Sequence, residues 1–195
     1  MRIGVDIDGV MYQWTKTARY MLREILPDSP YTKDGPLGIE CPTWDHIKDH
    51  VTREHYDWLW TEGVRLGLFR HGHMFPGTIK ALRQLAECGD VIAVTHRPAT
   101  AVTDTLDWLA FHRLPLSGVH ILTSQQSKSR CGPFDYFIDD KPSNCVDLEE
   151  TGAVVCMPDR PWNRDAQPPG VVRTYSWDEF TNIIKKGKHH VRSAY

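Results

Sequence analysis

The chain has 195 residues, with 23 basic and 25 acidic side chains and a formal net charge of −2. This length suffices for one compact domain with an insertion, and the near balance of charge excludes a global positive field that would attract nucleic acid. The five cysteines are scattered without a Cys-x-x-Cys pair, no apolar stretch approaches membrane-spanning length, and the first residues already read as a strand. We therefore expect a cytoplasmic protein with reduced thiols, with neither a membrane nor a nucleic acid as a stable partner.

The first predicted element is a buried strand that ends in two carboxylates. The apolar run of residues 2–10 carries Asp6 and Asp8 to Gly9. Ligands of open α/β sheets bind at the carboxyl ends of the strands, and residues two apart on a strand share a face. Two carboxylates so close repel each other unless a cation lies between them or one keeps a proton. The pair therefore suits a metal site or proton transfer, and its alternative is an ordinary turn, where Asp and Gly are common for local reasons.

A long, mostly helical insertion is predicted after this strand. Residues 12–26 show helical spacing of apolar side chains, and a loop rich in Pro and Gly follows over 27–42. Thr43 and Thr52 are predicted N-caps of two shorter helices, the second of which ends at Gly63. The insertion should therefore contain three helices and one long loop.

The remaining chain alternates helices and strands, as a parallel sheet requires. The predicted helices cover 76–89 and 100–112, and the predicted strands cover 90–95, 119–122, 134–140 and 152–157. Ser176 and Glu179 form a predicted capping box that opens a last helix ending at Lys186 and Gly187, before a basic tail that we expect to be disordered. The pattern predicts an α/β fold with a three-layer, Rossmann-like parallel sheet as its core.

Three further polar features follow later strands. Thr95 ends the second predicted strand, Lys128 follows the third, and Asp139 and Asp140 end the fourth. Taken singly, Thr95 could be an ordinary strand-end hydroxyl, and Lys128 could be a solvated loop lysine with Arg130 as a competitor. The acid pair could be a helix N-cap. Four such features in this order, each at or near a strand end, favour one shared site over four coincidences.

The order of acid pair, hydroxyl, lysine and acid pair resembles the haloacid dehalogenase-like phosphatase superfamily. The resemblance implies that Asp6 is the nucleophile and that Asp8 is a general acid and base, which argues for phosphoryl transfer and against carbon–halogen cleavage. It also implies phosphate binding by Thr95 and Lys128. The implied ligands of Mg²⁺ are Asp6, the main-chain carbonyl of Asp8, and Asp139 or Asp140.

The chemistry of a phosphate monoester needs these residue types. The ester is doubly negative and repels a carboxylate nucleophile, so Mg²⁺, Lys128 and backbone amides must supply positive charge. The amides of His96 and Arg97 lie at the mouth of the second strand and are further candidates for binding phosphate. The Arg97 side chain could itself reach a substrate phosphate or hold a cap closed.

A cap that selects substrates is predicted within the insertion. Between Thr95 and Lys128 there is room only for a loop, one helix and one strand, so the cap cannot lie there. We therefore predict a core domain of residues 1–10 and 76–195 and a helical cap of residues 11–75. A cap in this place resembles the 5'(3')-deoxyribonucleotidase family.

The cap sequence is dense in aromatic residues, which suit a nucleobase. The rings are those of Trp14, Tyr20, Tyr31, Trp44, Tyr56, Trp58, Trp60, Phe69 and Phe75. A small cap also needs a core of its own, so we expect about two-thirds of these rings to fill it. Phe69 and Phe75, which flank the return to the core domain, are predicted to line the substrate pocket.

Together these features predict a Mg²⁺-dependent phosphatase that works through an aspartyl-phosphate. Nucleoside 5'-monophosphates, above all deoxy ones, are the expected substrates, and the protein is expected to be a monomer or a homodimer. A nucleic-acid 3'-end phosphatase or a sugar phosphatase is the alternative within the superfamily. A nucleotide-sensing protein without turnover is a further alternative, against which Asp8 argues because a binding module needs no acid/base group.

Overall fold

A parallel β-sheet runs through the centre of the protein. The computed structural model describes residues 1–28 and 41–192, with side chains described through residue 187. Within these residues the sheet has six strands in the order β3-β2-β1-β4-β5-β6, and all neighbours are parallel. The strands are β1 (Arg2–Val5), β2 (Asp90–His96), β3 (Gly118–Leu122), β4 (Tyr136–Ile138), β5 (Val154–Pro158) and β6 (Val172–Thr174).

Helices cover both faces of this sheet. They are α1 (Trp14–Ile25), α2 (His46–His50), α3 (Arg53–Trp58), α4 (Thr78–Ala86), α5 (Val102–Phe111), α6 (Pro142–Glu149) and α7 (Trp177–Arg192). Val91 and Ala93 pack into one apolar cluster, whereas Ile92 and Val94 pack into another, as expected for a strand buried on both faces. The predicted three-layer α/β architecture is confirmed. Of the helices described, none combines the length and the apolar character needed to cross a membrane.

The register of β1 sets the position of the carboxylate that follows it. Val5 pairs with Ala93 of β2 and with Ile138 of β4, and the Asp6 amide donates to the Ile138 carbonyl at 3.0 Å. The residues directly after β1, β2 and β4 therefore meet at the carboxyl edge of the sheet. This is the edge at which ligands of open α/β sheets bind.

The segment between β1 and α4 forms a separate helical layer beside that edge. Its buried apolar residues include Ala18, Leu22, Ile47, Leu59, Val64 and Leu68. The Tyr12 hydroxyl donates to the Leu68 carbonyl and accepts from the Gly72 amide, which ties the two ends of the segment together. The division into a core domain and a cap at residues 11–75 stays a prediction.

Of the two N-caps predicted in this segment, one is confirmed and the other is wrong. Thr52 caps α3 as predicted, because its hydroxyl accepts from the His55 amide at 3.3 Å. The prediction for Thr43 is wrong, since its carbonyl accepts from the His46 amide in a turn and α2 begins only at His46. The predicted end at Gly63 is wrong, because Leu59–Gly63 is a π-helical turn and the helix continues through residues 64 and 65 to a left-handed glycine, Gly67. Residues 29–40 of the predicted loop, with Tyr31, lie outside the described residues.

The C-terminal part also departs from the prediction. Ser176 caps α7 as predicted, through a bond from the Glu179 amide at 3.2 Å, but the helix continues through Gly187 to Arg192. Gly187 lies against the Tyr136 hydroxyl, where a Cβ atom would collide with it. The glycine therefore permits close packing and does not end the helix. Strand β6 was not predicted, because Val172–Thr174 has a single apolar residue and so lacks the apolar run that indicates the other strands.

Candidate active site

Lys128 joins two carboxylates at the carboxyl edge of the sheet. Its Nζ lies 2.7 Å from Asp6 Oδ1 and 2.7 Å from Asp139 Oδ2, and its side chain is 1% exposed. The Ile7 amide also donates to Asp6 Oδ1, at 2.7 Å. Both of these contacts to the Asp6 side chain fall on Oδ1, so Oδ2 is the oxygen available to a substrate or a cation.

Asp139 is surrounded by hydrogen-bond donors. Besides Lys128, the Lys141 amide donates to Oδ1 at 2.9 Å, and Asn144 Nδ2 lies 3.1 Å from Oδ1 and 3.2 Å from Oδ2. The carboxylate is fully buried. A buried carboxylate with this many donors is satisfied without a further ligand.

Asp140 is satisfied on one oxygen only. Its Oδ2 accepts from Trp162 Nε1 at 2.8 Å, whereas its Oδ1 is buried and has no hydrogen-bond partner among the described residues. One carboxylate oxygen from each of Asp6, Asp139 and Asp140 lies within 4.8 Å of the others. A buried oxygen without a donor is costly, and its position among two other carboxylates fits a hard cation such as Mg²⁺.

Burial and mutual repulsion control the protonation of this cluster. Burial raises the pKa of Asp6 well above its ordinary value, against the opposing effect of Lys128. Burial, with the repulsion of Asp139, raises the pKa of Asp140 to about 7. Burial alone lowers the pKa of Lys128, but Asp139 and Asp6 outweigh it and the net shift is upward. The site therefore holds more negative charge than Lys128 can neutralise, and a cation would relieve it.

Asp8 is held by an arginine. Arg97 Nε donates to Asp8 Oδ2 at 2.8 Å and an Arg97 terminal nitrogen donates to Oδ1 at 2.7 Å, which is a bidentate pair. The Arg97 side chain is fully buried, whereas that of Asp8 is 24% exposed. The Arg97 amide donates to the Leu122 carbonyl at 3.2 Å. Neither the guanidinium nor this amide is therefore placed as the phosphate contact predicted for Arg97.

Thr95 and His96 lie beside this pair. The buried Thr95 hydroxyl lies 3.4 Å from Asp8 Oδ2. The His96 ring contacts the Gln126 carbonyl through Nε2 at 2.7 Å, and burial lowers its pKa. The structure therefore brings both residues to the predicted edge, and their contact with phosphate stays a prediction.

A cavity of about 190 Å³ opens between this edge and the helical segment. Asp8, His96 and Asp140 form part of its lining, together with Trp162. The aromatic residues of the segment that line it are Trp14, Trp44, Tyr56, Trp60 and Phe69. Among them Trp14 and Trp60 are stacked, with centroids 5.6 Å apart and planes at 22°. The cavity thus joins the acidic cluster to a flat apolar surface.

This lining corrects two expectations about the aromatic residues. Five of the eight described rings line the cavity, and three of these five also pack in the apolar core of the segment. The rings in that core are four, fewer than the expected two-thirds: Trp14, Tyr56, Trp58 and Phe69. Aliphatic side chains such as Leu22 and Leu59 fill the rest of that core. Phe69 lines the cavity as predicted, but Phe75 lines a second cavity, where its ring lies 4.1 Å from the Arg160 guanidinium.

Comparison with known proteins shows which family this chain matches. The family described as "5' nucleotidase, deoxy (Pyrimidine), cytosolic type C protein" matches residues 1–190. The chain belongs to this nucleotidase family. It is therefore a phosphoric monoester hydrolase with a haloacid dehalogenase-like fold, as the sequence predicts.

Curated relatives agree over nearly the whole chain. A "Putative 5'(3')-deoxyribonucleotidase" of Chlorobaculum tepidum is 29% identical, covering 94% of this chain and 89% of its own. A "Nucleotidase" of Clostridium acetobutylicum is 22% identical, covering 95% and 94%.

Solved structures agree on the fold. A haloacid dehalogenase-superfamily hydrolase of Geobacter sulfurreducens is similar with a TM-score of 0.62 at 16% identity, covering 94% of this chain and 95% of its own. A haloacid dehalogenase-like hydrolase of Streptococcus pneumoniae is similar with a TM-score of 0.64 at 13% identity, covering 93% and 97%.

Several residues of this candidate site were not predicted from the sequence. Asn144 and Trp162 hold Asp139 and Asp140, and Tyr12 lies with its ring centroid 4.8 Å from the Arg97 guanidinium. Asn144 lies on the first turns of the helix that follows the acid pair, which is a signal that could have found it. Trp162 is 22 residues from Asp140 and has no such signal.

Proposed function

We propose that this chain is a Mg²⁺-dependent nucleotidase that releases phosphate from nucleoside 5'-monophosphates through an aspartyl-phosphate. One observation carries the proposal. The buried Asp6 carboxylate is bound to Lys128 at 2.7 Å and lies within 4.8 Å of the Asp140 carboxylate, which lines an aromatic cavity and whose Oδ1 has no hydrogen-bond partner among the described residues. The names printed for the family and its relatives support a nucleotide as the substrate.

The donor set fits Mg²⁺. Asp6 and Asp140 would hold the ion, because in the described part of the chain Asp140 Oδ1 has no hydrogen-bond partner, whereas Asp139 is saturated by donors. Asp139 would instead hold Lys128 in place. When bound, Mg²⁺ supplies positive charge that a doubly negative phosphate needs beside a carboxylate nucleophile.

In the first half-reaction the available oxygen of Asp6, Oδ2, attacks the phosphorus atom. The bond from phosphorus to the ester oxygen breaks, and that oxygen takes a proton from the Asp8 carboxyl. The alcohol leaves, and Asp6 carries the phosphoryl group as an acyl-phosphate. Lys128 and the Thr95 hydroxyl bind the phosphoryl oxygens during the transfer.

In the second half-reaction water attacks the phosphorus atom of the acyl-phosphate. Asp8, now a carboxylate, takes a proton from that water, and the bond between phosphorus and Asp6 Oδ2 breaks. Phosphate leaves, and both aspartates return to their starting states. The proton that Asp8 gave to the alcohol is thus replaced by one from water.

The cavity supports a nucleoside as the leaving group. A nucleobase offers a π-face, and the stacked rings of Trp14 and Trp60 offer a matching flat surface. Asp45 and Lys48 add polar groups to the same lining. Ligand pockets are typically apolar with a few polar groups, and those polar groups give specificity by binding the polar edge of the ligand.

The test is phosphate release from ribo- and deoxyribonucleoside monophosphates, hexose phosphates and a 3'-phosphorylated oligonucleotide, with Mg²⁺ or with EDTA. We expect Mg²⁺-dependent release from mononucleotides above all, and none from Asp6→Asn, whose amide cannot form the acyl-phosphate. Faster release from sugars or from the oligonucleotide would move the assignment to those phosphatases. Mg²⁺-dependent nucleotide binding without release would indicate a sensing protein.

A further inference from the structure

The Arg97 guanidinium is held by a set of contacts that prevents it from moving toward a substrate. Besides the bidentate pair with Asp8, its other terminal nitrogen donates to Thr105 Oγ1 at 3.1 Å and to the Phe69 carbonyl at 3.4 Å. Its guanidinium carbon lies 4.8 Å from the Tyr12 ring centroid and 4.7 Å from that of Phe69. A planar, fully buried guanidinium held in this way cannot turn without breaking several contacts.

These contacts come from both layers of the protein. Thr105 lies on α5 beside the sheet, and its hydroxyl is itself fixed by donating to the Ala101 carbonyl at 2.7 Å. Tyr12 and Phe69 belong to the two ends of the helical segment, which the Tyr12 hydroxyl joins through Leu68 and Gly72. Arg97 therefore couples the orientation of Asp8 to the position of the helical segment on the sheet.

The pair also determines which oxygen of Asp8 can exchange a proton. Oδ2 lies near both Arg97 Nε and the Thr95 hydroxyl, whereas the contact on Oδ1 is the Arg97 terminal nitrogen. Asp8 lines the cavity and is partly exposed there. A carboxylate oxygen accepts two hydrogen bonds, so Oδ1 keeps one position for the ester oxygen or for water.

We propose that Arg97 is a positioning residue that orients Asp8 for both proton transfers and does not bind the substrate phosphate. This inference rests on the proposed function, because it needs Asp8 as the acid and base of a phosphatase. Lysine could not replace Arg97, since a single ammonium group cannot hold both carboxylate oxygens in one plane. Misplacement of an acid/base group costs part of the 10²–10⁴-fold that such a group contributes.

The experiment compares two substrates whose leaving groups differ in their need for a proton. A nucleoside monophosphate leaves as an alkoxide and needs Asp8 in both half-reactions. p-Nitrophenyl phosphate leaves as a stable phenolate and needs Asp8 only when water attacks the acyl-phosphate. The variants are Arg97→Gln and Arg97→Lys. The matched control is Arg70→Gln, which removes a guanidinium that bridges the same segment to Asp104 of α5 at 3.5 Å.

For Arg97→Gln we expect a fall in kcat for the mononucleotide of about 100-fold, with KM changed by less than about threefold. With p-nitrophenyl phosphate we expect a burst of about one nitrophenolate per enzyme, followed by slow turnover and acid-stable trapping of phosphoenzyme. Arg97→Lys should behave similarly, and Arg70→Gln should match the wild type in both assays.

Other outcomes overturn the inference. A KM raised for both substrates without a burst would make Arg97 a phosphate-binding residue, and an equal fall in kcat for both without a burst would make it merely structural. If Arg97→Gln does not fold, Thr105→Val, which removes one anchor of the guanidinium, should give a smaller burst. A wild-type response from Thr105→Val would then overturn the inference. Failure of the wild type to hydrolyse either substrate would instead overturn the proposed function.

Discussion

The candidate active site has two halves that are built differently. The sheet half consists of Asp6, Lys128, Asp139 and Asp140, and the cap-facing half consists of Asp8, Arg97, Trp14, Trp60 and Phe69. Adjacent strand ends and buried ion pairs hold the sheet half, so its geometry depends on the sheet register. The cap-facing half depends on contacts between the sheet and the helical segment. We infer that the sheet half determines the chemistry of phosphoryl transfer. The cap-facing half determines substrate selection and proton transfer.

The largest effect is expected where the sheet half loses its cation. Lys128→Met leaves Asp6 and Asp139 buried without their shared partner, and loss of one member of a buried pair costs about 3–5 kcal/mol. Activity should fall by about 10³-fold or more, because a charge that stabilises the phosphoryl group is lost. Chemical denaturation and phosphate release measure the two effects.

Arg130→Met is the matched control for this variant. Arg130 is exposed and lies two residues away on the same 3-10 turn, Lys128–Cys131, so its removal should change stability by no more than about 0.5 kcal/mol. If Arg130→Met were instead the inactive variant, the assignment of the phosphate-binding cation to Lys128 would be wrong.

The next effect concerns which acid holds Mg²⁺. Asp140→Asn replaces the carboxylate whose Oδ1 has no hydrogen-bond partner within the described residues, so Mg²⁺ affinity should fall by at least about 100-fold. Trp162→Phe removes only the donor to Asp140 Oδ2 and should weaken Mg²⁺ binding by about tenfold. Titration of activity with Mg²⁺, and of the unfolding temperature with the same ion, gives both affinities. Unchanged affinity in Asp140→Asn would make Asp139 the ligand.

The two halves also differ in how well the sequence predicts them. Asp6, Lys128 and the acid pair each lie at or soon after the end of a predicted strand, and parallel strands bring their ends to one edge. The partner of Asp8 is 89 residues away along the chain, and no local pattern indicates it. The choice between Asp139 and Asp140 likewise depends on donors such as Asn144, whose direction only the folded chain fixes.

The same reasoning explains the errors about the helical segment and about the end of α7. Periodicity predicts that α1 is a helix, yet it does not tell a ring that lines a cavity from one that fills a core. Trp60 lies on the π-helical turn Leu59–Gly63, which shifts side-chain directions relative to an α-helix. Gly187 reads as a helix end in the sequence, because its close approach to Tyr136 is a tertiary contact.

A substitution in the cap-facing half should change selection and leave the chemistry intact. Trp60→Leu removes one of the two stacked rings, and base stacking on an aromatic side chain contributes about 1–3 kcal/mol. We expect KM for mononucleotides to rise about tenfold, with little change for p-nitrophenyl phosphate. Trp58→Leu is the control, because Trp58 packs against the apolar cluster of the same segment and is not among the rings that line the cavity. Equal KM values for the two variants would remove Trp60 from the substrate site.

The smallest effect is a dependence of stability on pH that belongs to the sheet half. Burial raises the pKa of Asp140 from its ordinary value of 3.8 to about 7, so between these values the folded protein binds a proton that the unfolded chain releases. Raising the pH through this window in EDTA should therefore lower the unfolding temperature, by a few degrees at this chain length. Asp6, whose pKa is also raised by burial, contributes in the same direction.

Added Mg²⁺ should reverse the loss near neutral pH, because the ion binds the ionised carboxylates of the folded state. Asp140→Asn should show a flatter pH profile in EDTA and a smaller response to Mg²⁺. A wild-type unfolding temperature that instead rises from pH 5 to pH 7 in EDTA would show that Lys128 already balances the cluster, and the electrostatic argument for a cation would fail.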